Sequence, residues 1–101
     1  MLIVCQPRAS GKTEKMLEWL RMEPSRILLV VDDRRAINIR YDHPDIAHRI
    51  MPWRTYWSQR PTHTSFGASI SEVGIDDADA ILQRMCWQPI SAMSIRSTEQ
   101  E

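Results

Sequence analysis

The sequence predicts an α/β fold of three layers, with helices on both faces of a small, mostly parallel sheet of about four to five strands. Three observations carry that prediction. Residues 2–5 and 27–31 are continuous apolar runs without the alternation of a half-exposed strand, so each reads as a strand buried on both faces. Between them Met16, Leu17 and Leu20 recur at helical spacing. A strand, a helix and a strand in that order close as a right-handed crossover, which makes the two strands parallel in one sheet.

In chain order, residues 2–5 give the first strand. A helix follows over 11–22, with Met16, Leu17 and Leu20 on its buried face and Trp19 at the edge, and Pro24 ends it. The second strand covers 26–33. Residues 34–64 are the least regular, with a short helix over 45–51 behind Pro44 that buries Ile46, Ala47 and Ile50 and stops at Pro52. A short third strand around Phe66 and an acidic strand over 70–75 come next. A helix then runs from 79 to 86 or 87 with Ile81, Leu82 and Met85 inward, and a last strand over 90–95 alternates apolar residues with serines.

At 101 residues, of which 43% are hydrophobic, the chain supports one core. The expected organisation is a single domain over 1–98 with a short tail over 99–101. Thirteen basic and thirteen acidic side chains cancel, so bulk charge points to neither nucleic acid nor membrane. Arg34, Arg35, Arg40, Arg49, Arg54 and Arg60 nevertheless dominate the middle, and Glu72, Asp76, Asp77, Asp79, Glu99 and Glu101 the end. Cys5 and Cys86 have neither metal spacing nor a disulfide framework and read as buried thiols. His43, His48 and His63 read as surface or loop histidines. With no apolar run of membrane-spanning length and no charged leader, a cytoplasmic location is expected.

The chemistry concentrates at the junction between the first strand and the first helix, in Pro7, Arg8, Ala9, Ser10, Gly11, Lys12, Thr13 and Glu14. A turn of this kind curls backbone N–H groups round phosphate oxygens, and the helix start behind it adds unpaired donors and dipole. In a Gly-Lys-Thr step the lysine, here Lys12, bridges terminal phosphates and the hydroxyl of Thr13 holds magnesium. The full pattern has a leading glycine, and Gln6 stands in its place.

Loops of the form Arg-x-Ser-Gly-Lys-Thr without that glycine resemble those of P-loop NTPases of the RecA-like, helicase-like class, and in particular the ATPase domain of phage terminase large subunits. The resemblance covers this loop, the later Ile75-Asp76-Asp77-Ala78-Asp79, which is similar to the Asp-Glu-Ala-Asp step of helicases and terminases, and the order of elements between them. It implies a P-loop fold, ATP or another nucleoside triphosphate with Mg2+, and ATP hydrolysis linked to phage or bacterial DNA handling. Arg8 would reach the terminal phosphate, Asp76 would hold magnesium with Thr13, Asp76 through a water, and Asp77 would polarise the attacking water. Asp32, at the end of the second strand, competes with Asp76 for the metal, and motif logic favours Asp76. The family usually has glutamate where this chain has Asp77. A carboxylate short by about an ångström can cost about a hundredfold in rate. Ser97 or Thr98 would occupy the sensor strand, or belong to a frayed tail.

Such domains are usually larger, so a stripped sheet without a lid is expected, with an open adenine site or one completed by a second copy or a protein partner. A partner-supplied arginine would come from Arg34, Arg35, Arg54 or Arg60. Trp53, Arg54, Tyr56, Trp57 and Arg60 interleave aromatic and basic side chains, as a single-stranded nucleic-acid contact would. Alternatively Trp53 and Trp57 close the core, which small domains favour. A nucleotide-binding regulatory module that hydrolyses slowly or not at all is the second functional reading. A small nucleotide or nucleoside kinase is the third, disfavoured because lid and acceptor pocket need more chain.

Overall fold

A computed structural model describes residues 11–61, 63, 69–86 and 88–94 of the chain. The order of elements is α1 (Lys12–Met22), β1 (Arg26–Val30), α2 (Asp33–Asp42), a 3₁₀ segment (Pro44–Arg49), β2 (Ile50–Pro52), α3 (Trp53–Gln59), β3 (Glu72–Ile75) and α4 (Ala78–Met85). The strands form one parallel sheet in the order β2-β1-β3, with Leu28 opposite Ile50 on one side and Gly74 on the other. This is an α/β architecture compatible with three layers, with three strands among the described residues against the four to five expected.

Alternation along β1 sorts the two faces. Leu28 and Val30 point to α1, α2 and the 3₁₀ segment, where Met16, Leu17, Leu20, Ala36, Ile39, Ile46 and Ile50 complete the core. Leu29 points the other way, into a groove of about 340 Å³ bounded by Trp53, Tyr56 and Trp57 of α3 and Ile81, Leu82 and Met85 of α4.

Several expectations are corrected. The strand expected over 26–33 ends at Val30, because Asp32 turns the chain by accepting a hydrogen bond from the Arg35 amide (2.8 Å) and so caps α2. Among the described residues β1 lies between β2 and β3. The helix expected over 45–51 is a 3₁₀ segment that stops at Arg49, and Ile50 opens β2 instead, still fully buried. α2 and α3 occupy most of the stretch read as irregular. The described part of the last expected strand, 90–94, is not a strand. On α4 only Ile81 is buried, while Leu82 and Met85 are exposed at the groove. Cys86 is exposed instead of buried. The first strand, Cys5 and most of the expected third strand lie outside the described residues.

Two of the central arginines hold the fold. Arg49 is buried and donates to the backbone carbonyls of Leu20 and Glu23, at the end of α1, and to that of Arg26 (3.0 Å). A helix end leaves four carbonyls without partners, and a guanidinium has the donors to serve several at once. Arg40 does the same for the carbonyls of Ala47 (3.2 Å) and Ile50 (3.0 Å).

Candidate functional site

α1 starts at Lys12 because Gly11 turns the chain into it with φ 86° and ψ 14°, a left-handed conformation that favours glycine. Among the described residues no side chain caps this helix start. Its first-turn N–H groups therefore keep the donor character that suits an anion.

β3 brings an acid to the same place. Alternation puts Gly74 and Asp76 on the face that α1 covers. Gly74 lies under the Trp19 ring, so closely that a Cβ there would stand 2.5 Å from a ring carbon. Two residues further on, Asp76 meets α1 a turn and a half nearer its start: the Thr13 hydroxyl donates to the Asp76 carboxylate at 3.2 Å. The pairing of β1 with β3 extends past the strand through the Asp76 amide, which donates to the Leu29 carbonyl (3.0 Å) and fixes the position of the acid. Asp76 is 2% exposed. Burial, and then the neighbouring Asp77 carboxylate, raise its pKa, against the opposing pull of Arg35, Thr13 and Lys12.

Lys12 forms an ion pair with Asp77, and its pKa is raised chiefly by that hydrogen bond. Asp77 itself sits at φ 56° and ψ 54°, left-handed, at the start of α4. Arg35, from the first turn of α2, completes the cluster. Its guanidinium donates to the Thr13 hydroxyl at 2.7 Å and lies 3.7 Å from the Asp76 carboxylate. Its Nε is buried without a hydrogen-bond partner among the described residues.

The structure thus brings together Gly11, Lys12, Thr13, Asp76 and Asp77, which are five of the residues singled out from the sequence. Glu14 lies exposed in the first turn of α1. Asp32 is elsewhere: its carboxylate caps α2 and lies 3.5 Å from the Arg84 guanidinium, lining a cleft with Asp33, Arg54 and Thr55. Pro7, Arg8, Ala9, Ser10, Ser97 and Thr98 lie outside the described residues. The sequence offers Arg35 as one of four arginines for a partner copy to supply, whereas here it reaches Thr13 of its own chain. Its place beside Thr13 depends on where α2 starts, and the only sequence signal for that is the capping pattern at Asp32.

The aromatic and basic stretch forms α3. Trp53 is half-buried with the Arg54 guanidinium 5.5 Å from its ring centre, Tyr56 is half-buried, and Trp57 is 61% exposed, so Trp57 does not close the core. Arg60 is exposed at the end of this helix in a left-handed conformation.

Among the described residues no three His, Cys, Asp or Glu side chains converge on one point. A hydroxyl and one carboxylate are nonetheless a fitting start for Mg2+, a hard cation that keeps waters and takes phosphate oxygens for its remaining positions. The positive charge already drawn to these two oxygens, the Arg35 guanidinium, agrees with that donor set. Comparison of the chain with family models, curated proteins and solved structures found no match.

Proposed function

We propose that this chain is a P-loop protein that binds ATP or another nucleoside triphosphate with Mg2+ and hydrolyses its terminal phosphoanhydride, a minimal terminase-like ATPase of phage or bacterial DNA handling. The observation that carries the reading is the hydrogen bond between Thr13 and Asp76. These residues are 63 positions apart and are the two from which a metal-holding pair was expected. Lys12, one residue before Thr13 and already beside an acid, would turn its ammonium to the terminal phosphates. Thr13 and Asp76 would hold Mg2+, which supplies charge neutralisation at the phosphate oxygens. Asp77 would accept the proton of a water whose oxygen bonds to the terminal phosphorus as the bridging P–O bond breaks. Arg8 would offset charge on the transferred group.

A second reading, a slow or non-hydrolysing regulatory module, is favoured by one observation: the Asp77 carboxylate is taken up by Lys12. Turnover would then require that ion pair to open.

Binding of a fluorescent triphosphate with Mg2+, and phosphate release with and without DNA, test both. Lys12→Ala and Asp76→Ala should each weaken binding by about tenfold to a hundredfold, the worth of one hydrogen bond to a charged group. Asp77→Ala should abolish turnover while binding persists. Binding without turnover in the parent selects the second reading, and no triphosphate affinity in the parent removes both.

A further inference from the structure

We propose that Arg35 is a built-in counter-cation of the metal site, occupying it when no divalent ion is bound and leaving it when one enters. The claim rests on the reading of Thr13 and Asp76 as metal ligands and adds what competes for them.

The Thr13 hydroxyl has one hydrogen, and it goes to Asp76. Of its two lone pairs, one accepts from the Arg35 guanidinium at 2.7 Å, on the oxygen that would hold a metal. The same Arg35 nitrogen lies 3.7 Å from the Asp76 oxygen that Thr13 contacts. One guanidinium nitrogen therefore engages both oxygens expected to hold the metal, directly or through a water. A divalent ion bound to those atoms would stand within a few ångströms of the guanidinium, where like charges repel strongly in a partly buried site.

Arg35 is poised to leave. Its Nε is buried and unpartnered among the described residues, so this pose leaves a donor unsatisfied, and 39% of its side chain is exposed, which gives it a way out to solvent. Its backbone is held independently of its side chain, since the Arg35 amide donates to the Asp32 cap. The side chain can move without unwinding α2. Asp76, a buried carboxylate, thus has a cation beside it in either state.

The test is Mn2+ binding without nucleotide, followed by titration of the Mn2+ electron paramagnetic resonance signal, on the parent, Arg35→Gln and Arg35→Lys. Arg35→Gln should bind Mn2+ about tenfold more tightly than the parent. In chelator its melting temperature should fall below the parent's, and Mn2+ should raise it more. Arg35→Lys keeps the charge without the fork and should fall between the two, which preserves the test if the glutamine variant does not fold. Unchanged or weaker Mn2+ binding in both variants, or none in any, overturns the proposal. Triphosphate affinity of the parent, measured alongside, reports separately on the nucleotide reading. Tightened Mn2+ binding with no triphosphate affinity would keep Arg35's role and remove the nucleotide.

Discussion

Gly74 and Asp77 show how single backbone positions set the geometry of the site. Gly74 gives the Trp19 ring a flat place on β3, and the Arg26 guanidinium lies over the same ring, 4.5 Å from its centre. Gly74→Ala would place a methyl 2.5 Å from that ring, and overpacking of this kind costs about 1–3 kcal/mol. A lower denaturation midpoint is expected, and Trp19→Ala in the same chain should remove most of the penalty of adding the methyl. Asp77 holds a left-handed backbone that aspartate and asparagine tolerate better than most residues. Replacing it with the longer acid of the resembled family is therefore no simple restoration. Asp77→Glu should lower stability by about 1 kcal/mol, whereas Asp77→Asn should fold as the parent does, both read by chemical denaturation.

At the scale of elements, α2 depends on its cap. Only Ala36 and Ile39 of this helix are buried, so the Asp32 side chain that accepts from the Arg35 amide contributes a large part of its definition. Asp32→Ala should cost about 1 kcal/mol, a fall of roughly 4–8 °C in melting temperature for a chain of this size. It should also loosen Arg35 beside Thr13. The same features decide what could be read in advance. α1 was legible because Met16, Leu17 and Leu20 repeat at helical spacing. α2 was not, because Arg34, Arg35, Asn38 and Arg40 leave it a narrow apolar stripe. β2 has three residues, one of them proline, too few for a period to show. Asp76 was legible from the likeness of Ile75-Asp76-Asp77-Ala78-Asp79 to the Asp-Glu-Ala-Asp step. Arg35 was not, since its contact with Thr13 follows from packing between α1 and α2, and no local pattern records that.

For the whole molecule, a parallel sheet sends the C-terminal ends of its strands to one edge, and here that edge collects Asp76 and Asp77 after β3 and Asp32 and Asp33 after β1. The described part of the fold has no helix long and apolar enough to cross a membrane. Its stability should depend on acid through His48. Burial, and then the nearby Arg49 charge, hold the imidazole below its ordinary 6.5. The unfolded chain then takes up the proton first. The contribution is present above pH 6.5 and is lost as pH falls below it toward the folded-state value. Asp76 acts with the opposite sign: its pKa is raised above 3.8, so its burial cost is relieved as pH falls through the raised value. Denaturation midpoints should fall on acidification below about pH 6.5, and His48→Gln should flatten that slope. A slope left unchanged by the substitution would remove His48 as its source.

Arg49 grips the last carbonyls of α1 and the first residue of β1, at the opposite end of the helix from Lys12 and Thr13. With its tail riveted in this way, the response of α1 expected on binding a ligand is a swing about that point, as of a lever on a pin. The amplitude then grows toward Gly11 and vanishes near Glu23. Amide hydrogen exchange across residues 12–23, compared with and without a bound triphosphate, should change in that graded order, and an even change along the helix would show that it slides instead.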